Sequence, residues 1–247
     1  MTQNARRKHH QCAARKCATV AAFALVSTIG VLSFGAVDAG AVYHPQVDPA
    51  LFRAAVDNPF FPLVPGTTYH FTETTDQGVN QNDVAVTRET KSVMGVPCVV
   101  VHDTLKRKGR LIEDTHDWYS QDREGNVWYF GEDTKEYRSN GSVSTEGSWE
   151  AGVGGAQPGI IMKAHPVVGE AYRLEYLPKI AEDMGKVVAL NDAVTVPYGS
   201  FTDVIRTDEW SMLEPGTEHK WYAKGVGVVR EVSELGEPTT LISVTHD

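Results

Sequence analysis

His116, Asp117, Glu132 and Glu150 are the residues of this chain whose types and spacing could hold a metal ion. A hard cation takes several carboxylate oxygens and a borderline one accepts imidazole as well, so the four offer a mixed nitrogen and oxygen set. No HExxH, CxxC or closely spaced His pair accompanies them, and solvated cross-strand polar pairs account for the same residues. A second chemistry would use Glu175: facing an apolar interior beside Tyr172 or Tyr176, its carboxyl would be driven toward the neutral acid and could serve as general acid or base. Pairing with Arg173 or Arg206 would reduce it to an ordering contact. Met162, His165 and Met184 could suit a soft or borderline ion such as copper, but with one His and two widely separated Met they read as core packing. The loop Asp122–Asn126 has oxygen side chains at alternate positions but lacks the length and the terminal Glu of a calcium-binding hand, and reads as a hairpin turn. No nucleophile elbow, phosphate-cradling loop or dinucleotide fingerprint is present.

The remaining candidates are aromatic. Trp118, Trp128, Tyr129, Trp149, Tyr172, Tyr176 and Trp221, with Glu175, are spread over most of the expected strands, so several should converge on one interior. Indole and phenol rings around a few carboxyls make an amphipathic ligand pocket, or simply a filled core.

Strands must position these groups. From Leu111 to Glu150 the chain alternates β-branched and aromatic residues between turns rich in Asp, Asn and Gly, the pattern of a meander of hairpins. Between Leu111 and Ser120, Glu113, Thr115, Asp117 and Tyr119 share one face, and Asp114, His116, Trp118 and Ser120 the other. Strict alternation in the next strand puts Trp128, Phe130 and Glu132 together, opposite Val127, Tyr129 and Gly131. Period-two segments continue on both sides, with Tyr69–Thr75 as the first strand, a polar loop over 76–82, a turn at Met94-Gly95 and a Lys-rich hairpin tip at 106–109. The Gly-rich stretch 151–158 reads as a lid or a loop within one domain. About ten strands in sequential hairpins imply an all-β protein, a strongly curved antiparallel sheet or an up-and-down β-barrel.

Ahead of that domain stand two other pieces. Arg6, Arg7, Lys8, Arg15 and Lys16 precede an uncharged segment over 17–37, and Ala39-Gly40-Ala41 fits a cleavage site, so residues 1–41 read as an export signal. An uncleaved anchor is the competing reading of the same apolar segment. Residues 42–66, with five prolines, read as an extended strap in which ALFRAAVD could form a helical turn or two, and 67–247 as a single β domain. Removing 1–41 leaves 18 basic against 31 acidic residues, a formal charge of −13. Such a surface repels nucleic acid and anionic membranes. Cleavage also removes Cys12 and Cys17, leaving Cys98 without a disulfide partner, in an apolar strand that makes it a buried small hydrophobe.

Thr195-Val-Pro-Tyr-Gly-Ser-Phe201, followed by Asp203-Val-Ile-Arg206 and by Trp221 to Val229, resembles a paired-strand pattern of uncharacterised exported bacterial proteins and lipoproteins. Phe61-Pro-Leu-Val-Pro-Gly-Thr-Thr-Tyr69 is similar to their first strand, where a Pro-Gly turn delivers an aromatic residue. The resemblance implies a large antiparallel sheet wrapped round a hydrophobic interior, as in periplasmic lipoprotein carriers and lipocalin-like barrels, and brings no catalytic residues with it.

The expected protein is therefore exported, to the periplasm or beyond the cell. It has no transmembrane segment after cleavage and binds a small or lipid-like molecule in a sheet cavity, without a cofactor unless a divalent metal sits at the acidic and His residues. An enzyme of hydrolase or lyase type using those residues, and a structural or partner-binding envelope protein with a packed sheet, are the alternatives.

Overall fold

Alternation of apolar with polar side chains carries the chain into strands almost from end to end. The computed structural model describes residues 43–247; the expected export signal, with Cys12 and Cys17, lies outside the described residues. Sixteen strands form one antiparallel sheet. In chain order they are β1 (Phe52–Arg53), β2 (Thr67–Thr75), β3 (Gly78–Val93), β4 (Val96–Arg107), β5 (Arg110–Asp122), β6 (Val127–Tyr137), β7 (Val143–Ser144), β8 (Trp149–Glu150) and β9 (Gln157–Met162). They continue as β10 (Ala171–Arg173), β11 (Glu175–Tyr176), β12 (Asp183–Val196), β13 (Gly199–Ser211), β14 (Glu218–Ala223), β15 (Gly227–Val232) and β16 (Pro238–His246). The order across the sheet is β10-β12-β13-β14-β15-β16-β2-β3-β4-β5-β6-β9-β11, with β1 paired to β5 and β7 and β8 to β6. Neighbours are mostly successive hairpins, and the last strand pairs with the first long one.

The two ends of that order are one piece of chain. β10 pairs with β12 and β11 with β9, and a single residue, Leu174, separates them. A strand that changes partner at a bend thus draws the sheet into a nearly closed barrel. Closure needs backbone to approach backbone: a Cβ on Gly159 would lie 2.3 Å from the carbonyl carbon and oxygen of Leu174. Leu174 N–H also donates to the Asp183 carbonyl at 2.9 Å.

Hairpin turns follow local chemistry. Met94-Gly95 and Lys108-Gly109 both take left-handed φ values, 52° and 78° in the first and 52° and 76° in the second, as two-residue turns matching strand twist require. Asp122 organises the β5–β6 turn by accepting from Asn126 N–H, the Asn126 amide and Trp128 Nε1 at 2.7–2.8 Å, so its oxygens are occupied as a hairpin turn demands. The stretch read as a polar loop over 76–82 is a tight turn followed at once by β3. Asn80 and Asn82 are buried in that strand by hydrogen bonds to Glu73 and Asp103, a polar inward face that hydrophobicity alone does not reveal. ALFRAAVD forms only a one-turn 3-10 helix at Pro49–Leu51 before extending into β1.

Two apolar clusters follow from the two faces. The inner one joins Tyr69, Phe71, Val86, Val101, Ile205, Tyr222 and Leu241 across the barrel. The other covers the outer face of β4–β6, where Val93, Cys98, Val100, Trp118 and Phe130 lie beneath Val47 and Phe52 of the N-terminal segment. Cys98 is fully buried, and that burial pushes its thiol up to about 12, so it packs rather than reacts. Among the described residues no helix is long and apolar enough to cross a membrane.

Gly159→Ala tests the closure. Its new methyl meets rigid backbone, so a loss of about 1–3 kcal/mol or more is expected from chemical denaturation. Gly141→Ala, with open space around it, should cost only the strain of its left-handed φ, ~1 kcal/mol. Equal midpoints for the two variants would contradict the bend at Leu174 as the closing contact.

Candidate functional site

A cavity of about 140 Å³ lies inside the barrel. Its apolar walls come from Leu63, Phe71, Val101, Ile161 and Val228, and its polar groups from Asp103, Asp117, Tyr119, Tyr129, Lys220 and Tyr222. Phe61, Pro62 and Leu63 close one side. That segment is pinned there: Gly225 N–H donates to the Pro59 carbonyl at 2.6 Å and Tyr69 Oη to the Pro62 carbonyl at 3.1 Å. The Phe61 ring packs on Tyr119 and Tyr222, with centroids 5.5 and 6.4 Å away.

Strand register explains why acids collect within. Val86, Val101, Asp117, Glu132 and Trp149 are successive cross-strand partners through β3, β4, β5, β6 and β8, so alternation places them all on one face. Lys220, Glu231, Thr239, Glu73, Asn80 and Arg107 make a second such row across β14, β15, β16, β2, β3 and β4. Lys220 bonds Glu209 at 2.8 Å and lies 3.7 Å from Glu231. Burial opposes its charge, but Glu209 and Glu231 outweigh that and hold the ammonium well above the usual lysine range.

Between Asp117 and Glu132 lies the arrangement with the clearest chemical content. Tyr129 Oη is 2.6 Å from Asp117 Oδ1 and 2.9 Å from Glu132 Oε2. A phenol has one proton to give, so it donates to one carboxylate and accepts from the other, and the partner it accepts from must be a neutral acid. Burial agrees, pushing Asp117 up to about 7 against the lowering hydrogen bond from Tyr129. Glu132 rises well above the ordinary range through burial, Glu175 and Asp117. Glu175 rises through burial and Asp183, with which it shares a hydrogen bond, while Trp149 Nε1 donates to it at 2.9 Å. Asp103, bonded to the Asn82 amide, is raised by burial and by Asp117. Asn82 Oδ1 and Thr239 Oγ1 are buried with no hydrogen-bond partner among the described residues, each a cost of ~1–3 kcal/mol unless something polar reaches it.

Several sequence expectations need correction. The proposed metal set is split by the sheet: Asp117 and Glu132 face inward, whereas His116 faces outward and Glu150 pairs with Lys91 at 2.7 Å. Of the aromatic set only Tyr129 lines the cavity. Trp149 and Glu175 stand behind it, Trp149 meeting Tyr129 edge-on at 5.3 Å. Tyr172 is buried in the inner core, and Tyr176 packs between Tyr43 and Arg173. Trp118 lies under the Lys91 ammonium, 3.2 Å from its ring centre, Trp128 packs on Phe52, and Trp221 is flanked by Arg206 and Arg230. These three indoles cover the outer face, where strand alternation puts them.

The phase of β6 is also reversed from strict alternation. A bulge at Phe130-Gly131 puts Tyr129 and Glu132 on the same side, and Gly131 is required there: φ is 129° and a Cβ would fall 2.3 Å from the Trp149 carbonyl oxygen. Met162 is fully buried in the inner core, as packing rather than ligation predicts. Asp103, Tyr119, Lys220 and Tyr222 were not singled out from sequence. The signal that could have found the lysine is its inward position in EHKWYA, two residues from Tyr222 on one strand face.

No family model matches this chain, and no curated protein matches it. Among solved structures it is similar to a protein inferred to be exported, with YmcC-like fold, from Bacteroides fragilis NCTC 9343, at 16% identity and a TM-score of 0.44. A protein inferred to be a lipoprotein, from Parabacteroides distasonis ATCC 8503, matches at 13% identity and 0.43. Each likeness covers 75% of this chain and 98% of the other.

The protonated acids set the pH dependence of stability. Asp117 holds its proton to about pH 7 when folded but only to about 4 when unfolded, so between those values the native state binds the extra proton. Stability then falls as pH rises, by about 1.4 kcal/mol per pH unit for this group. Denaturation from pH 4.5 to 7 should show that decline, and Asp117→Asn should flatten it by nearly one proton. An unchanged slope in the variant would mean that Asp117 is ionised in the fold.

Proposed function

We propose that this is an exported, non-catalytic binding protein, lipocalin-like in holding a small amphipathic molecule inside its barrel. The observation that carries the reading is the mixed lining of the cavity, aliphatic and aromatic side chains interleaved with carboxyl, phenol and ammonium groups. Sites for small ligands combine these features, an apolar surround that buries the ligand and a few convergent polar groups that orient it. Export is supported by the basic, then uncharged, then small-residue layout of residues 1–41.

Size limits the occupant. At about 140 Å³ the space is well under the several hundred Å³ of a drug-sized pocket. A compact molecule fits as the barrel stands, and a lipid-like chain only with the Phe61 segment displaced. Lys220 is already engaged by Glu209 and Glu231, and one oxygen each of Asp103 and Asp117 by Asn82 and Tyr129, so the groups offered to a ligand are the second oxygens of Asp103 and Asp117 and the hydroxyl of Tyr119. They suit a head that both accepts and donates hydrogen bonds, an alcohol or an amine. Asp117, neutral up to about pH 7 beside a cavity, is also what a general acid requires, and this favours a hydrolase or lyase as the second reading.

Native mass spectrometry of the purified chain should show a co-purifying organic molecule, absent from Val228→Trp, whose indole fills the half-buried end of the cavity. A wild-type spectrum with the bare polypeptide mass alone, and no gain in melting temperature with small alcohols or amines, would remove the binding reading. Turnover lost in Asp117→Asn with binding retained would establish the enzyme instead.

A further inference from the structure

On the outer face of the barrel, away from the cavity, His102 of β4 and His116 of β5 are direct cross-strand partners. Their rings stack, with centroids 4.3 Å apart and planes 15° from parallel. Asp114, two residues before His116 on the same strand face, reaches both: its Oδ2 is 3.2 Å from His102 Nε2 and its Oδ1 is 3.7 Å from His116 Nδ1. One ligand atom from each residue can be chosen so that all three lie within 4.8 Å of one another. Asp133, the β6 partner of His116, is a further carboxylate beside the cluster, and Lys135 stands opposite Asp114.

We propose that His102, Asp114 and His116 form a binding site for a borderline divalent cation, Zn²⁺ or Cu²⁺, with water or Asp133 in the remaining position. Two imidazoles and one carboxylate are a donor set that such ions accept, and hard ions such as Mg²⁺ and Ca²⁺ do not favour. Around a tetrahedral Zn²⁺ with bonds of about 2.0–2.2 Å, ligand atoms stand about 3.3–3.5 Å apart. The present spread closes to that by small side-chain rotations, which side chains 21–38% exposed can make. The sheet supplies the rest. Register fixes the two rings face to face, and the two oxygens of one carboxylate lie beside them, one hydrogen-bonded to His102 and one 3.7 Å from His116.

Residues 1–42 contain His9, His10, Cys12 and Cys17, so the test compares the untagged full chain with its own variants. Calorimetric titration with Zn²⁺ should include one equivalent that disappears in His102→Ala and in His116→Ala. Each should weaken by more than the 10–100-fold that loss of even a supporting residue costs. Asp114→Asn should weaken binding while Asp133→Asn has the smaller effect. With Cu²⁺, electron paramagnetic resonance should show hyperfine splitting from two nitrogens in the wild type and from one in His116→Ala. The substituted side chains are partly exposed, so circular dichroism and melting temperature without metal should stay near wild type. Titrations identical in the wild type and in the His102→Ala, His116→Ala double variant, or a wild type that takes up neither ion, would overturn the site.

Discussion

One proton between two carboxyl groups is the constraint on which the interior depends. Tyr129 Oη touches both Asp117 and Glu132, and the geometry is consistent only if one of those acids is neutral. Ionised carboxylates in a medium of low dielectric cost several kcal/mol each unless paired, and the inward rows of this barrel also carry Glu73, Asp103, Glu175, Glu209 and Glu231. Lys220 answers Glu209 and Glu231. Glu73 takes a hydrogen bond from Asn80, and Glu175 takes one from Trp149. Asp103 takes one from the Asn82 amide, and burial drives its carboxyl toward the neutral acid. The Asp117–Tyr129–Glu132 bridge and the Glu175–Asp183 contact thus hold only while a carboxyl keeps its proton, and this couples the packing to pH.

Without a disulfide among the described residues, the sheet gains its second layer from its own N-terminal segment. Val47 and Phe52 cover Cys98, Val100, Trp118 and Phe130 on the outside, while Phe61 turns in over the barrel end to meet Tyr119 and Tyr222. One short run of chain therefore buries both faces of the same strands. Elsewhere the outer face is solvated and lined by polar pairs such as the His219–Asp208 hydrogen bond at 2.7 Å and the Lys106–Asp83 ion pair at 3.1 Å. Exposed pairs of this kind contribute ~0–1 kcal/mol each, so the overlaid region is where outer-face burial adds stability.

The all-β architecture was legible because period two is written into almost every segment, as in Tyr69, Phe71 and Glu73 against His70 and Thr72. Closure was not, since it rests on a partner change at Leu174 and on the absent side chain of Gly159, neither of which alters the alternation. The site was half legible. Asp117, Tyr119 and Tyr129 fell inside the stretch singled out for its acids and aromatics, and the two faces of β5 read correctly. The bulge at Gly131 then moved Tyr129 and Glu132 to one side, and an isolated glycine in a strand does not say whether it marks a bulge. The indoles misled for a general reason. Tryptophan is buried wherever a second layer exists, and here the strap provides one outside the barrel.

The same strap determines where the interior opens at least cost. Parting two long strands breaks a ladder of backbone hydrogen bonds, for example all of Thr68 to Thr75 against Gly78 to Ala85 between β2 and β3. Lifting residues 59–63 breaks the bonds at Pro59 and Pro62 and the Leu63 N–H bond to the Val56 carbonyl, separates Phe61 from two rings and uncovers buried Leu63. That is fewer backbone bonds than the ladder holds, at a net ~0.5–1.5 kcal/mol each, offset in part by about 1.5–3 kcal/mol for uncovering Leu63. Phe61 and the prolines that flank the aromatic pair Phe60-Phe61 therefore form the cover over that side of the cavity, with the Tyr119 and Tyr222 rings packed against Phe61.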